Sequence, residues 1–355
     1  MAAQISHIIA GEEALDLASG GADPGSPEGA AAFFRLGCQG PDIFYHNRRT
    51  MPSGLHYGAL AHRRGFGSLL AGAAASIPAA ERGYGSPSGA YLLGLATHAA
   101  IDRATHPFII YFSGWVVPSD PDTARFRGCH PFLERLLDIG LLERRLGIPP
   151  RDYGLAERLG AGSSIEDASD GGLVAAWSAG LRAAYPRATG ADPSLEVRIA
   201  NALADARNFF KVTEPAATVR HGFGGDWIGR LGREEGKRLV SLVYPERIPE
   251  GMDPMNLAGA EWEHPSGDGR RSRASYLDLI EEGVGEAARA IDLVLDYWKG
   301  RLSSPALARG IGEGGLALRD AGGAVLSPKI CRPLALSEAI EAEYAAHVDL
   351  SSPGR

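Results

Sequence analysis

Apolar residues recur at three- and four-residue intervals along most of the chain. No stretch sustains strand alternation, so the pattern predicts a mostly α-helical protein. Residues 4–19 read as an amphipathic helix, with Ile8, Ile9, Ala14, Leu15 and Leu17 in its apolar stripe and Ser6 as its cap. Ala30 to Leu36 is a short helix that breaks at Gly37-Cys38-Gln39-Gly40-Pro41. Helices are predicted over 66–80 and 86–106. Pro107 disfavours the α conformation at His106, so the second of these should end there. His130 opens another helix, with Pro131 in its first turn. Helices over 195–211 and 234–243 follow. The clearest runs from Ser275 to Trp298, where Asp278 can complete a capping box and Leu277, Ile280, Val284, Ala288, Ile291, Leu295 and Trp298 form a core stripe. Residues 20–29 and 244–273 are Gly/Pro-rich loops. Periodicity fades after Gly300. The expected organisation is therefore one all-α, multi-helix domain over 1–300, then a C-terminal extension over 301–355 of loop plus a helix near 337–347.

Composition narrows the function classes. The 355 residues suffice for a large core, and 45% hydrophobic with 22% charged residues is ordinary for a globular protein. A net charge of −7 gives no basic footprint, so no long nucleic acid is expected as a partner. Cys38, Cys129 and Cys331 are odd in number and irregularly spaced, which excludes a disulfide framework and favours buried small side chains over ligands. No apolar run is long enough for a transmembrane segment. The first residues lack a secretory signal, so the sequence as it stands reads as cytoplasmic; a leader lost to a misassigned start would make the protein secreted or peripheral.

The chemistry gathers around His98, Asp102 and His106. On a helix, steps of four residues keep all three on one face, while His98 and His106 lie roughly 12 Å apart along the axis. They are too distant to share one metal, but a central carboxylate flanked by histidines suits a cluster of several ions. His130 and Glu134 form a second clip at i, i+4, Asp42 is displayed by the Gly40-Pro41 turn, and His7 and His56 complete the set. Each has an ordinary reading too: Asp42 as a helix cap, His7 as a half-exposed side chain at a helix start, His130–Glu134 as a plain helical contact. His46 and His62 read as solvated histidines or as supports behind a ligand. Grouped, Asp42, His56, His98 and Asp102 can close one site and His106, His130 and Glu134 a second with an open position, while Asp102 bridges to a third near His7. Oxygen and imidazole donors without thiolate suit zinc in a catalytic setting.

The ordered series His7, Pro41-Asp42, His56, His98-x3-Asp102-x3-His106-Pro107, His130-x3-Glu134 resembles the zinc-dependent phospholipase C family, which is related to the S1/P1-type nucleases. Ile5 to Glu13 and Gly40 to Tyr45 are also similar to bacterial members and to the catalytic domain of glycosylphosphatidylinositol-specific phospholipase D. The motifs cover residues 7 to 134. The three residues between Asp102 and His106 depart from the family's usual spacing there. The resemblance implies an all-α fold of the phospholipase C/P1 nuclease type and two to three Zn2+ ions. It implies as metal ligands His7, Asp42, His56, His98, Asp102, His106, His130 and Glu134, with Asp42 also the catalytic base. Secreted members use their mature amino-terminal residue as a ligand; here removal of Met1 would leave Ala2 in that role.

The expected activity is hydrolysis of a phosphodiester, most simply a phospholipid headgroup, by metal-activated water. The expected partners are a phospholipid or other phosphodiester substrate and a peripheral membrane contact. One alternative is a single-strand nuclease or 3′-nucleotidase on the same scaffold. Another is a non-catalytic, metal-stabilised domain that binds lipid or a partner, against which Asp42 argues, since a closed structural site needs fewer ligands.

Overall fold

Ser86 starts the helix around which the others are arranged. Its hydroxyl accepts from the Gly89 amide at 3.0 Å, and Pro87 occupies the first turn, where no amide donor is missed. The computed structural model describes residues 4–21, 28–160, 166–214, 228, 231–320 and 322–350. In chain order the helices are α1 (Gln4–Ala18), α2 (Glu28–Cys38), α3 (Leu55–Arg63), α4 (Phe66–Ser76), α5 (Pro87–Ser113), α6 (Cys129–Arg145) and α7 (Leu155–Arg158). There follow α8 (Glu166–Ala184), α9 (Pro186–Gly190), α10 (Leu195–Val212), α11 (Arg233–Val240), α12 (Tyr276–Trp298), α13 (Ser304–Ile311) and α14 (Leu336–Leu350). The fold is an all-α single domain, with one two-residue antiparallel pair among the described residues, Trp262–Glu263 against Arg271–Ser272.

Helix α5, 27 residues and so about 40 Å long, is buried along most of its length. It packs chiefly on α2 and α12 and also touches α1, α4, α6 and α8. Small residues allow the closest crossing. A Cβ on Gly94 of α5 would collide with the Phe34 carbonyl, and one on Gly37 of α2 with the Tyr91 carbonyl. The two backbones therefore meet through reciprocal glycines.

The structure corrects three expectations. Helix α5 does not end at His106 but continues through Pro107 to Ser113. Pro107 forfeits one amide bond, yet Phe108, Ile109, Tyr111 and Phe112 beyond it are all buried, and their burial outweighs the local cost. Ser6 does not cap α1 but lies inside it, and its amide and hydroxyl both donate to Asp138. Helix α4 stops at Ser76 rather than residue 80, because Pro78 favours extended backbone at Ile77. The α12 capping box forms as expected between Ser275 and Asp278. Beyond residue 300, α13 packs on α4 and α12, and α14 on α6 and α11. Among the described residues no helix is long and apolar enough to cross a membrane.

Candidate metal centre

Five elements deliver the site. Asp42 rides a 3-10 turn, Gly40–Phe44, that approaches α5 so closely that a Cβ on Gly40 would strike the His98 ring. Gly40 also has φ +53°, a conformation that favours glycine. His7 comes from α1, His62 from α3, His98, Asp102 and His106 from α5, and His130 and Glu134 from α6.

Asp102 is wholly buried, and each of its oxygens faces two histidines. Its Oδ1 lies 3.1 Å from His7 Nε2 and 3.2 Å from His106 Nδ1. Its Oδ2 lies 3.2 Å from His98 Nε2 and 3.7 Å from His62 Nε2. His62 Nε2 is in turn 3.0 Å from Asp42 Oδ1, and His130 Nε2 is 3.0 Å from Glu134 Oε1. The His7 and His98 rings stack with centroids 4.5 Å apart. Among the described residues three donor groups result: His7, His98 and Asp102; Asp42, His62 and His98; His106, His130 and Glu134. Asp102 belongs to the first and touches a member of each of the others.

Two observations fit these groups to metal ions. The first is proton position. His62 Nδ1 lies 2.8 Å from the Gly58 carbonyl and His98 Nδ1 3.1 Å from the Cys38 carbonyl. A carbonyl only accepts, so each Nδ1 carries a proton, and each neutral ring offers its Nε2 lone pair to the site, as metal-ligating histidines do. The second is unmet need. His98 Nε2, Asp102 Oδ2, His106 Nδ1 and both Glu134 oxygens are buried with no directed hydrogen bond from the protein. His98 and His106 each stand 3.2 Å from an Asp102 oxygen and His130 stands 3.0 Å from Glu134 Oε1, and buried polar atoms clustered in this way suit a cation. Neighbouring donors lie 3.0–3.7 Å apart, against about 3.3 Å for the edge of a tetrahedron around zinc.

The electrostatics agree. Burial opposes charge on Asp102, but His106 and His98 hold its carboxyl well below the usual range. Asp42 is likewise held low against its burial, by His62 and His98 among the described residues. Burial works against protonation of His98 and His106, yet Asp102 beside both raises their pKa values. His7 is lowered by burial and by His98, and His130 by burial. Glu134 falls below its ordinary value because His130 outweighs its burial. A divalent ion would compete with protons for these rings, so metal binding would be linked to proton release.

The structure thus brings together His7, Asp42, His98, Asp102, His106, His130 and Glu134, and it does not bring in His56. His56 is exposed, with its ring against Tyr57. The six residues from His56 to His62 turn an α-helix about 600°, which separates the two by roughly 120° around α3. Tyr57, Gly58 and Ala61 form the buried side of α3, and His62 flanks it. That stripe is the signal in the sequence for His62, whose spacing alone is that of a solvated or supporting histidine. Ala2 lies outside the described residues. Cys38 and Cys129 are buried and outside the donor groups, their thiols both pushed up to about 12 by burial.

Beside the centre lies a cavity of about 800 Å³, lined by residues that include Tyr45, Arg48, Pro131, Phe209, Val212 and Leu242. It adjoins the metal groups at two points: the Tyr45 ring is 4.9 Å from that of His62, and Pro131 follows His130. Comparison with protein-family models, with curated proteins and with solved structures finds no match for this chain. The centre is defined by its own geometry: a largely helical body with three buried His/Asp/Glu groups that can hold metal.

Proposed function

We propose that the chain is a zinc-dependent phosphodiester hydrolase of the phospholipase C type. The observation that carries the reading is the linkage of three donor groups through one buried carboxylate, Asp102. One group would use His7, His98 and Asp102, one Asp42, His62 and His98, and one His106, His130 and Glu134. Bound divalent ions there would acidify water and stabilise charge on phosphoryl oxygens. Asp42 stands at the edge of this cluster and is held ionised, so it can accept the proton of an attacking water at a carboxylate oxygen. The water oxygen bonds to phosphorus, the bond to the diacylglycerol-side oxygen breaks, and that oxygen regains the proton. The adjoining cavity supports a lipid ester over a polynucleotide. Its wall combines Phe209, Val212 and Leu242 with Arg48, which suits a substrate that is apolar at one end and anionic at the other. Met51, 77% exposed beside Arg48 and Arg49, fits a peripheral membrane contact within the same reading.

Metal analysis together with hydrolysis of a chromogenic phosphocholine ester and of single-stranded DNA tests the proposal. The expected result is at least two zinc ions per chain and turnover of the ester. Fewer than two ions, or turnover of neither substrate, would overturn it; turnover of DNA alone would move the assignment to the nuclease branch. Asp42→Asn should lower turnover by about 10²–10⁴-fold while most of the metal is retained.

A further inference from the structure

Helix α1 begins without a cap of its own among the described residues. The first amides of a helix have no partner within it, and among the described residues of α1 these are Gln4, Ile5 and Ser6. The Ile5 amide donates to Asp138 Oδ2 at 3.1 Å and the Ser6 amide to Asp138 Oδ1 at 2.7 Å. The Ser6 hydroxyl adds a third bond to Oδ1 at 2.8 Å. The Tyr244 hydroxyl donates to Oδ2 at 2.8 Å, and Arg135 Nη1 lies 3.4 Å from the same oxygen. Asp138 is fully buried, so every one of these contacts forms away from solvent. A carboxylate on another helix, 132 positions away in sequence, therefore does for α1 what an N-cap and a favourable charge at a helix start do locally.

The next residue is His7. Its Nε2 meets Asp102 at 3.1 Å and its ring stacks on His98, so a small slide or fraying of the first turn would remove it from the cluster. Asp138 also lies one turn beyond Glu134 on α6, so the helix that supplies one metal group fixes the helix that supplies another. The Gln39 side chain reinforces the arrangement. It donates to the Gln4 carbonyl at 3.0 Å and immediately precedes the turn that carries Asp42.

We infer that Asp138 is a positioning residue that sets His7 against Asp102, so that metal held by His7 and Asp102 depends on a carboxylate outside the ligand set. The inference rests on the metal reading above. Zinc content by mass spectrometry and zinc affinity by chelator competition test it in the full chain, with Asp138→Asn, His7→Ala and the double variant. Asp138→Asn should lose the same single zinc equivalent as His7→Ala, and the double variant should lose no more than His7→Ala alone. Ser275→Ala, which removes the α12 capping box but no bond to Asp138 or to a ligand residue, serves as a stability control and should keep its zinc. Ser6→Ala, a milder change, should weaken the same zinc several-fold, and it decides the matter if Asp138→Asn does not fold. Wild-type zinc content and affinity in Asp138→Asn, or in Ser6→Ala where only that variant folds, would overturn the inference, as would an equal zinc loss in Ser275→Ala. A wild-type protein that binds fewer than two zinc ions would instead overturn the metal reading, and this inference with it.

Discussion

His56 and His62 separate what spacing can say from what geometry adds. Both are histidines of α3, and the resemblance to the phospholipase C family selects His56. Helix phase selects His62, because only that ring reaches Asp42 and the Gly58 carbonyl. His62→Ala should therefore cost more metal affinity than the ~10–100-fold that loss of a supporting contact costs, while His56→Ala stays near wild type in zinc titrations. The opposite order would remove His62 from the ligand set. Most of the donors were legible because i, i+4 repeats of His, Asp and Glu have few other uses when three of them recur. His62 was not, because its partner lies in another element and its own helix is only nine residues long. Asp138 was hidden for the same reason, since nothing local marks a residue that caps a helix more than a hundred positions away.

Among the elements, α5 and α12 illustrate opposite cases. The α12 boundaries followed from Ser275 and Asp278, because a capping box is a local device. The end of α5 did not follow from Pro107, because the tertiary burial of residues 108–112 overrode a local preference. The continuation matters to the site. It keeps His106 on regular helix, one turn after Asp102, instead of at a loose end. The glycine crossing of α2 and α5 sets the height at which α5 lies. Gly94→Ala gains about 1 kcal/mol of helix propensity but forces a Cβ into the Phe34 carbonyl, a backbone atom that moves only if the helices part. Overpacking of this kind costs about 1–3 kcal/mol, so the variant should be less stable overall, with a lower urea midpoint. An unchanged or higher midpoint would mean the crossing can relax.

Across the whole molecule, charge state and stability are linked. His46 is buried with its ring stacked on Phe209 at 4.0 Å, and burial lowers its pKa from 6.5 to about 3. Between those values the unfolded chain binds a proton there and the folded one does not. Stability from this group therefore rises with pH from about 3 to 6.5, by up to about 1.4 kcal/mol per unit, and is level above that window. In chelator-treated protein, His46→Gln should flatten the slope of the urea midpoint against pH between 4 and 6 by about that amount. A slope equal to wild type would show that His46 charges in the folded state. The all-α class of the molecule was legible throughout, since it rests on periodicity over many helices. The order in which those helices surround α5 was not, because it depends on which glycines, and which buried acid, each surface presents.

Asp102 also governs how the site fills. Four imidazoles lean on its two oxygens, and the carboxylate raises the proton affinity of His98 and His106. His98 belongs to two of the three donor groups, so an ion entering either one removes a proton that the ion entering the other need not displace. Proton release should therefore be smaller when the second of the two groups that share His98 fills than when the first does. Calorimetric titrations in buffers of different ionisation enthalpy would read this directly.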